Sequence, residues 1–425
     1  MDAASETEEL ATPNSTAPIA RVRRGTSVDA RLVRRLLGIL GNPPIEFLLL
    51  WTGERIAGSG ASSGGAPPVQ VRIADRGTLV GLLSDPRVRF GDAYSAGKIE
   101  VEGDLVQLLE IIYRSFPAST NAGSMARRIG RWLHKPRRNT LRGSRSNIHR
   151  HYDLGNDFYS LWLGETMAYT CAYFPTAEAS LEQAQVAKMD HVCRKLRLKA
   201  GESVVEAGCG WGSLALHMAS RYGARVRAFN ISKEQVRYAR ERAREQGLEK
   251  QVEFVEDDYR NITGRYDVFA SVGMLEHVGR ENYPELGRVA RRALTPEGRG
   301  LIHSIGRNWP APLHPWIEQR IFPGAYAPSL GEMMQVFEPS SLSVLDVENI
   351  RLHYALTLRQ WLARYEVALG KVRTMFDEFF VRMWRLYLAG SIAAFETGTL
   401  QLFQVLFTTQ ENNRIPLTRE YMYPR

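Results

Sequence analysis

Apolar and polar positions change rhythm several times along this 425-residue chain, and the changes mark its organisation. Over residues 32–40, Leu32, Val33, Leu36, Leu37 and Leu40 recur at the spacing of an amphipathic helix. A Gly/Ser break at 58–65 follows, then strand-like alternation over 69–73 and a helical stretch over 105–113. Ser180 and Gln183 have the spacing of a capping box, which predicts a helix from there to about Leu196. Beyond it, strand runs at 203–207, 225–230, 252–256, 266–272 and 300–304 alternate with helical stretches, notably 233–246 and 283–293. After Gly306 the pattern turns helical and aromatic, with Trp309, Trp316, Phe322 and Phe337. A strand near 342–349, long helices over 357–395 and a last strand at 400–407 complete the chain. Seven strands interleaved with helices predict a doubly wound α/β sheet carrying a helical insert. The expected domains are a disordered tail (1–25), a smaller N-terminal domain, α/β or mostly helical (26–116), a linker (117–146) and the catalytic unit (147–425).

Composition narrows the class without deciding it. Hydrophobic residues make up 44% and charged residues 24%, as in ordinary globular proteins. No apolar run nears the ~20 residues of a membrane span, and no secretory signal precedes the first domain. Three cysteines, Cys171, Cys193 and Cys209, cannot all pair and fit a reducing, cytoplasmic setting. The net charge of +9 is unevenly spread: residues 111–152 contain no acid but ten lysines and arginines. Within that stretch, Met125-Ala-Arg-Arg-Ile-Gly-Arg-Trp-Leu interleaves apolar and basic residues, the pattern of a helix lying on an anionic lipid surface. Charge alone fits a solvated linker equally well. Neither nucleic-acid-reading motifs nor metal-ligand spacings occur, so neither partner is expected.

The segment from Val204 to Ser213 places Gly208, Gly210 and Gly212 directly after one strand and before a helix. Glycines there let the backbone turn tightly and approach a ligand closely. The spacing is G-x-G-x-G rather than the G-x-G-x-x-G of nicotinamide sites, and Glu206 precedes it. An acid in that place suits the cationic amino-acid end of S-adenosylmethionine. Asn230 ends the next strand, where a ribose-binding side chain belongs. Asp257-Asp258-Tyr259 ends the third, where an acid can accept from the adenine amino group. Three such sites at successive strand ends point to S-adenosylmethionine. Cys209 is expected in the loop for its backbone rather than its thiol.

Further motifs carry a resemblance. His151-Tyr-Asp-Leu-Gly-Asn-Asp-Phe-Tyr and Tyr169-Thr-Cys-Ala-Tyr-Phe, with Ser271-Val-Gly-Met-Leu-Glu-His-Val-Gly, are similar to segments of the cyclopropane fatty acid synthases and their mycolic acid relatives. Leu301-Ile-His-Ser-Ile-Gly, Trp316-Ile-Glu-Gln-Arg-Ile-Phe-Pro and His353-Tyr-Ala-Leu-Thr-Leu continue the resemblance, which spans about 147–408. In the N-terminal domain only Gly91-Asp-Ala-Tyr-Ser-Ala-Gly resembles a family motif, and Lys98-Ile99 replace the tryptophans usual after it. The resemblance implies a Rossmann-like class I S-adenosylmethionine-dependent methyltransferase fold. It adds Tyr152, Tyr169, Thr170, Trp211, Ile231 and Gln235 to the expected cofactor contacts. It implies methylene transfer to a cis double bond of a phospholipid acyl chain through a carbocation, with bound bicarbonate as the base. By motif, the holders of bicarbonate are Cys171 and Ile305 through backbone N–H groups, and Glu276, His303 and Tyr354 through side chains. Glu276 would orient the ion's own proton. A homodimer acting on the cytoplasmic face of the membrane is the expected setting.

Other readings stand beside this one. A small buried Cys171, a satisfied core His303 and a Tyr354 that only anchors its hydroxyl are the plainer alternatives. His191, Cys193 and His277 are expected to be structural. Proton loss elsewhere on the chain would give a methyl-branched or methylene lipid instead, and Asn230, where relatives commonly carry Thr, leaves room for another acceptor. A third possibility is a non-catalytic lipid-binding relative, which would have no need of Glu276 together with His303.

Overall fold

A computed structural model describes residues 27–58, 69–115 and 154–423. The expected tail, the whole of the expected basic linker (117–146) with its interleaved stretch, and Tyr152 lie outside them. The N-terminal unit is mixed α/β. Helix α1 (Val28–Ile39) is capped by Ser27, whose hydroxyl accepts from the Ala30 amide, and buries Ala30, Val33, Leu36 and Leu37. Strands β1 (Glu46–Leu49), β2 (Arg55–Ala57), β3 (Gln70–Ile73) and β4 (Ile99–Glu102) form a sheet in the order β2-β1-β3-β4. Helices α2 (Arg76–Ser84) and α3 (Pro86–Ser95) cross between β3 and β4, and α4 (Leu105–Ser115) follows. Asp85 separates α2 from α3, and Pro86 at the first position of α3 starts the new helix.

The larger unit begins with α5 (Asn156–Leu163) and α6 (Leu181–Lys195); the reciprocal Ser180–Gln183 capping box opens α6 as its spacing predicted. Next come β5 (Ser203–Ala207), α7 (Ser213–Tyr222), β6 (Arg225–Asn230), α8 (Lys233–Glu245), β7 (Val252–Glu256) and β8 (Tyr266–Val272). The one-turn α9 (Leu275–Val278), α10 (Tyr283–Ala293) and the long β9 (Leu294–Gly306) follow. The insert contributes α11 (Pro315–Arg320) and α12 (Leu330–Phe337), then β10 (Leu342–Asn349) returns to the sheet. The expected long helical region divides into α13 (Arg351–Val367), α14 (Leu369–Met375) and α15 (Glu378–Glu396), before β11 (Gln401–Thr409).

Sheet order is β10-β11-β9-β8-β5-β6-β7, with β5 to β9 parallel and β11 antiparallel to both neighbours. This is the class I methyltransferase arrangement. Strands such as β5 are buried on both faces because helices cover both sides. The sequence changes direction between β5 and β8, so ligands belong beyond the carboxyl ends there.

The two units share one aromatic core. Phe158, Trp162, Trp361 and Trp384 pack with the inner residues of α1, β1 and β3 in a single apolar cluster. Specific contacts clamp the junction. Arg320 pairs with Asp92 through two hydrogen bonds of 3.0 and 2.9 Å, and Arg382 donates to the Tyr94 and Ile99 carbonyls at 2.6 and 2.8 Å. Gly91 lies so close to Trp316 that a Cβ would meet its ring at 2.3 Å. The Gly91–Gly97 motif therefore joins the domains. No described helix is long and apolar enough to cross a membrane.

Candidate active site

Three glycines shape the loop between β5 and α7. Gly208, Gly210 and Gly212 have φ of +83°, +54° and +85°, a region that L side chains enter at a cost of about 1–2 kcal/mol. The surroundings of the three differ. A Cβ on Gly208 would touch Met274 at 2.9 Å, and one on Gly212 would meet Phe254 at 2.6 Å, whereas one on Gly210 would meet nothing within 4 Å. The loop is thus packed from behind and open at its middle, a cradle for a ligand. The Gly208 and Cys209 amides donate to the Phe229 carbonyl, which holds the turn against β6. Trp211 is buried, donates from Nε1 to Asn156 at 2.7 Å and packs on Tyr159.

Glu206, on β5 just before the loop, is 2% exposed and its Oε2 has no hydrogen-bond partner. Burial pushes its carboxyl up to about 7, against the pull of Lys188. A buried carboxylate with an unpartnered oxygen is costly, and a cationic ligand group is a natural remedy. Lys188 is also buried, donates to the Thr170 hydroxyl at 2.9 Å and is pushed down to about 8 by burial. Gln185 fixes the same segment by donating to the Ala168 and Thr170 carbonyls. Sequence reasoning missed Lys188. Its signal was a lysine on the apolar face of α6, among Leu181, Ala184, Gln185 and Val192. Tyr169 turns its hydroxyl to that of Tyr387, 2.8 Å away.

The remaining expected cofactor residues stand at the right strand ends, with internal bonds of their own. Asn230 donates to the Gly210 carbonyl at 3.1 Å and to Gln235 at 2.8 Å, and accepts from the Ser232 amide. Its side-chain amide donates to the glycine loop and to α8, so a ribose would find only spare acceptor capacity. Asp258 pairs with Arg260 through both oxygens, at 2.7 and 3.0 Å. A carboxylate has about four acceptor sites, so this pairing leaves room for an amino group. Tyr259 is buried with its hydroxyl unpartnered, and Ile231, which follows Asn230 just past the end of β6, is half-buried.

All five expected bicarbonate holders line one cavity of about 1730 Å³. Strands β8 and β9 run side by side and deliver Glu276 and His303 at their carboxyl ends; the Gly273 amide donates to the His303 carbonyl. Glu276 accepts from the Ile305 amide at 2.6 Å, leaving Oε2 buried and unpartnered. Burial pushes this carboxyl up to about 7. The Ile305 N–H, expected to face an anion, is therefore engaged by Glu276. His303 is buried beside Gln404, 3.2 Å from Nδ1, and burial, with the Lys188 and Lys195 cations, lowers it to about 3. It is a neutral imidazole at any physiological pH. Burial likewise raises the Cys171 thiol well above its ordinary range, and Sγ donates to the Ala172 carbonyl. Cys171 is no thiolate nucleophile here. Tyr354 packs its ring on Phe395 and Trp361. His277, expected to be structural, also lines the cavity, beside Phe322.

The cavity does not stop at the catalytic domain. Leu36, Leu40, Phe47, Val71 and Leu82 from the interior of the N-terminal domain line the same space. It exceeds the ~300–1,000 Å³ of usual small-molecule sites and has the apolar walls that hydrocarbon requires. Among the described residues, no group of acids, histidines and cysteines is placed to hold a metal ion.

Comparison with known proteins places the chain in a family. The profile of the mycolic acid cyclopropane synthetase family matches residues 139–405, and that of a domain of unknown function (DUF7884) matches 48–122. A probable fatty acid methyltransferase of Pseudomonas putida is 36% identical over 389 residues, covering 88% of this chain and 95% of that protein. The cyclopropane-fatty-acyl-phospholipid synthase of Escherichia coli K12 is 40% identical over 270 residues, covering 63% of this chain and 69% of that enzyme. Among solved structures, mycolic acid cyclopropane synthase CmaA1 complexed with SAH and CTAB superimposes with a TM-score of 0.59 at 27% identity, covering 62% of this chain and 97% of that one.

Proposed function

This chain belongs to the mycolic acid cyclopropane synthetase family, and from that footing we propose that it transfers a methylene unit to a cis double bond of a phospholipid acyl chain. It is an S-adenosylmethionine-dependent transferase. The observation that carries the lipid reading is the buried, half-satisfied Glu276, which with His303 lines an apolar cavity that continues into the N-terminal domain. An acyl chain fits such walls.

S-adenosylmethionine supplies an electrophilic sulfonium methyl, and bicarbonate supplies a base for the proton that must leave that carbon. The chain's residues have separate tasks. Glu206 and the open middle of the glycine loop would hold the cofactor's cationic amino-acid end, with Asn230 bracing the loop. The walls exclude water from positive charge developing on the acyl chain, and the rings of Tyr169 and Tyr354, which line the cavity, stabilise it. Glu276, His303 and Tyr354, with the Cys171 and Ile305 amides, would hold bicarbonate. The fit has one condition: Glu276 Oε1 must yield or share the Ile305 N–H. A carboxyl pushed up to about 7 readily shares a proton with such an ion, which is the orienting role assigned to it. The basic stretch before residue 152 suits an anionic membrane surface, and a homodimer would suit attachment there.

Expression in a host that makes unsaturated phospholipids tests the reading by proton NMR of the extracted lipids. Upfield ring-methylene signals support it, and lipids unchanged from the control refute it. A second reading, methyl transfer giving branched or methylene chains, is favoured by the name of the Pseudomonas putida relative, which matches along almost its whole length. Branched-methyl or vinylic signals would select it.

A further inference from the structure

Arg307 has no role in the chemistry above, yet it lines the same cavity. It continues the extended backbone of β9, pairing with Ser329, so His303, Ile305 and Arg307 fall on one side in alternation. Its Nε is buried without a hydrogen-bond partner. The other arginines lining the cavity have acids: Arg280 pairs with Glu332 at 2.9 Å, Arg114 with Glu110 at 3.3 Å and Arg87 with Asp85 at 3.7 Å. Among the described residues, no acid lies within ion-pair distance of Arg307. Its electrostatic neighbours are the hydroxyls of Tyr113 and Tyr326 and the ring of His314, which also lies near Arg87. Arg87 and Tyr113 come from the N-terminal domain, and Arg307 and His314 from the catalytic one. Two guanidinium groups thus lie near the His314 ring at the domain junction, and of the two only Arg87 has an acid, Asp85 at 3.7 Å.

A half-buried arginine whose Nε is sealed from solvent and has no counter-charge calls for an anion, and the guanidinium fork matches phosphate oxygens. We propose that Arg307, with Arg87 and His314 beside it, is a phosphate subsite for the head group of the lipid whose acyl chain enters the cavity. The placement suits this. Four residues of extended strand separate Arg307 from His303, about 13 Å at the usual rise, so a head group held there leaves several methylenes to reach the reacting end. The inference rests on the lipid reading above, but its test needs no turnover.

The full chain, saturated with S-adenosylhomocysteine, is titrated with dihexanoyl phosphatidylglycerol below its micelle concentration, following tryptophan fluorescence. Arg307→Met is expected to weaken binding at least tenfold and Arg307→Lys less, with S-adenosylhomocysteine affinity and melting temperature unchanged in both. Arg87→Met, at a more exposed position, should weaken binding severalfold and guards against misfolding of the first variant. Equal lipid affinity in Arg307→Met and the wild type would overturn the proposal. Inorganic phosphate displacing the lipid at matching concentration would also overturn it, by marking a free-phosphate site. Weakened binding in Arg307→Met from a protein that transfers nothing to acyl chains would uphold the subsite and sink the reaction instead.

Discussion

Replacing Gly210 or Gly212 by alanine separates two roles that one loop combines. Both positions have positive φ, so either substitution strains the backbone by about 1–2 kcal/mol. At Gly210 that is the whole cost to the fold, because the new methyl meets nothing within 4 Å. At Gly212 the methyl would lie 2.6 Å from Phe254 and 2.9 Å from Ala239, and overpacking of this kind adds about 1–3 kcal/mol. Thermal unfolding should therefore show a small loss for Gly210→Ala, roughly 2–4 °C per kcal/mol in a large domain, and a clearly larger one for Gly212→Ala. Calorimetric titration with S-adenosylhomocysteine should reverse the emphasis. Gly210→Ala, still folded, fills the open middle of the cradle and should bind at least tenfold more weakly. Wild-type affinity in that variant would refute the placement of the cofactor, and equal melting temperatures for the two variants would refute the packing argument.

Three further outcomes follow from the same geometry. Glu206 has a folded-state pKa raised to about 7 from an ordinary 4.5, so the cofactor-free fold binds more protons than the unfolded chain between those values. Stability should fall as pH rises through that window, and Glu206→Gln should flatten this part of the profile in pH-dependent melting. Binding of a cationic ligand needs the ionised carboxylate, so S-adenosylhomocysteine affinity should weaken below about pH 7 in the wild type and not in the variant. Glu276→Gln should keep its fold and cofactor affinity yet lose about 10²–10⁴ in turnover, measured as acyl-chain product per hour; near-normal turnover would remove Glu276 from the chemistry. Gly91→Ala drives a methyl into Trp316 and should loosen the domain junction by about 1–3 kcal/mol, visible as faster proteolysis between the domains with unchanged S-adenosylhomocysteine binding.

Much of this architecture was legible before any coordinates. The parallel strands β5 to β8 are apolar runs bounded by turn residues, and their observed limits coincide with the expected ones. Other elements were too short to carry a period: β1 and β4 have four residues and β2 three. The region after β10 was expected to hold long helices without their limits, because the breaks, at Ala368 and at Phe376-Asp377, are capping changes rather than glycine or proline. At the site, the family resemblance implied Cys171, Glu276, His303, Ile305 and Tyr354, and the fold brings them to one cavity. Sequence could not reveal the bond between Glu276 and the Ile305 amide, or the pairing of Asp258 with Arg260, since both depend on side-chain placement. Lys188 and Arg307 were hidden for another reason. A charge in a single sequence reads as solvated until its burial is known.

The central claim is that the transferred carbon loses a proton and closes a ring on the acyl chain. Incubating the full chain with dioleoyl phosphatidylglycerol vesicles, bicarbonate and S-adenosylmethionine bearing a fully deuterated methyl tests it directly, by mass spectrometry and NMR of the released chains. The account predicts a saturated product that keeps two of the three deuteriums and carries ring-methylene deuterium. A product that keeps all three would contradict it and make the protein a methyl-branching enzyme.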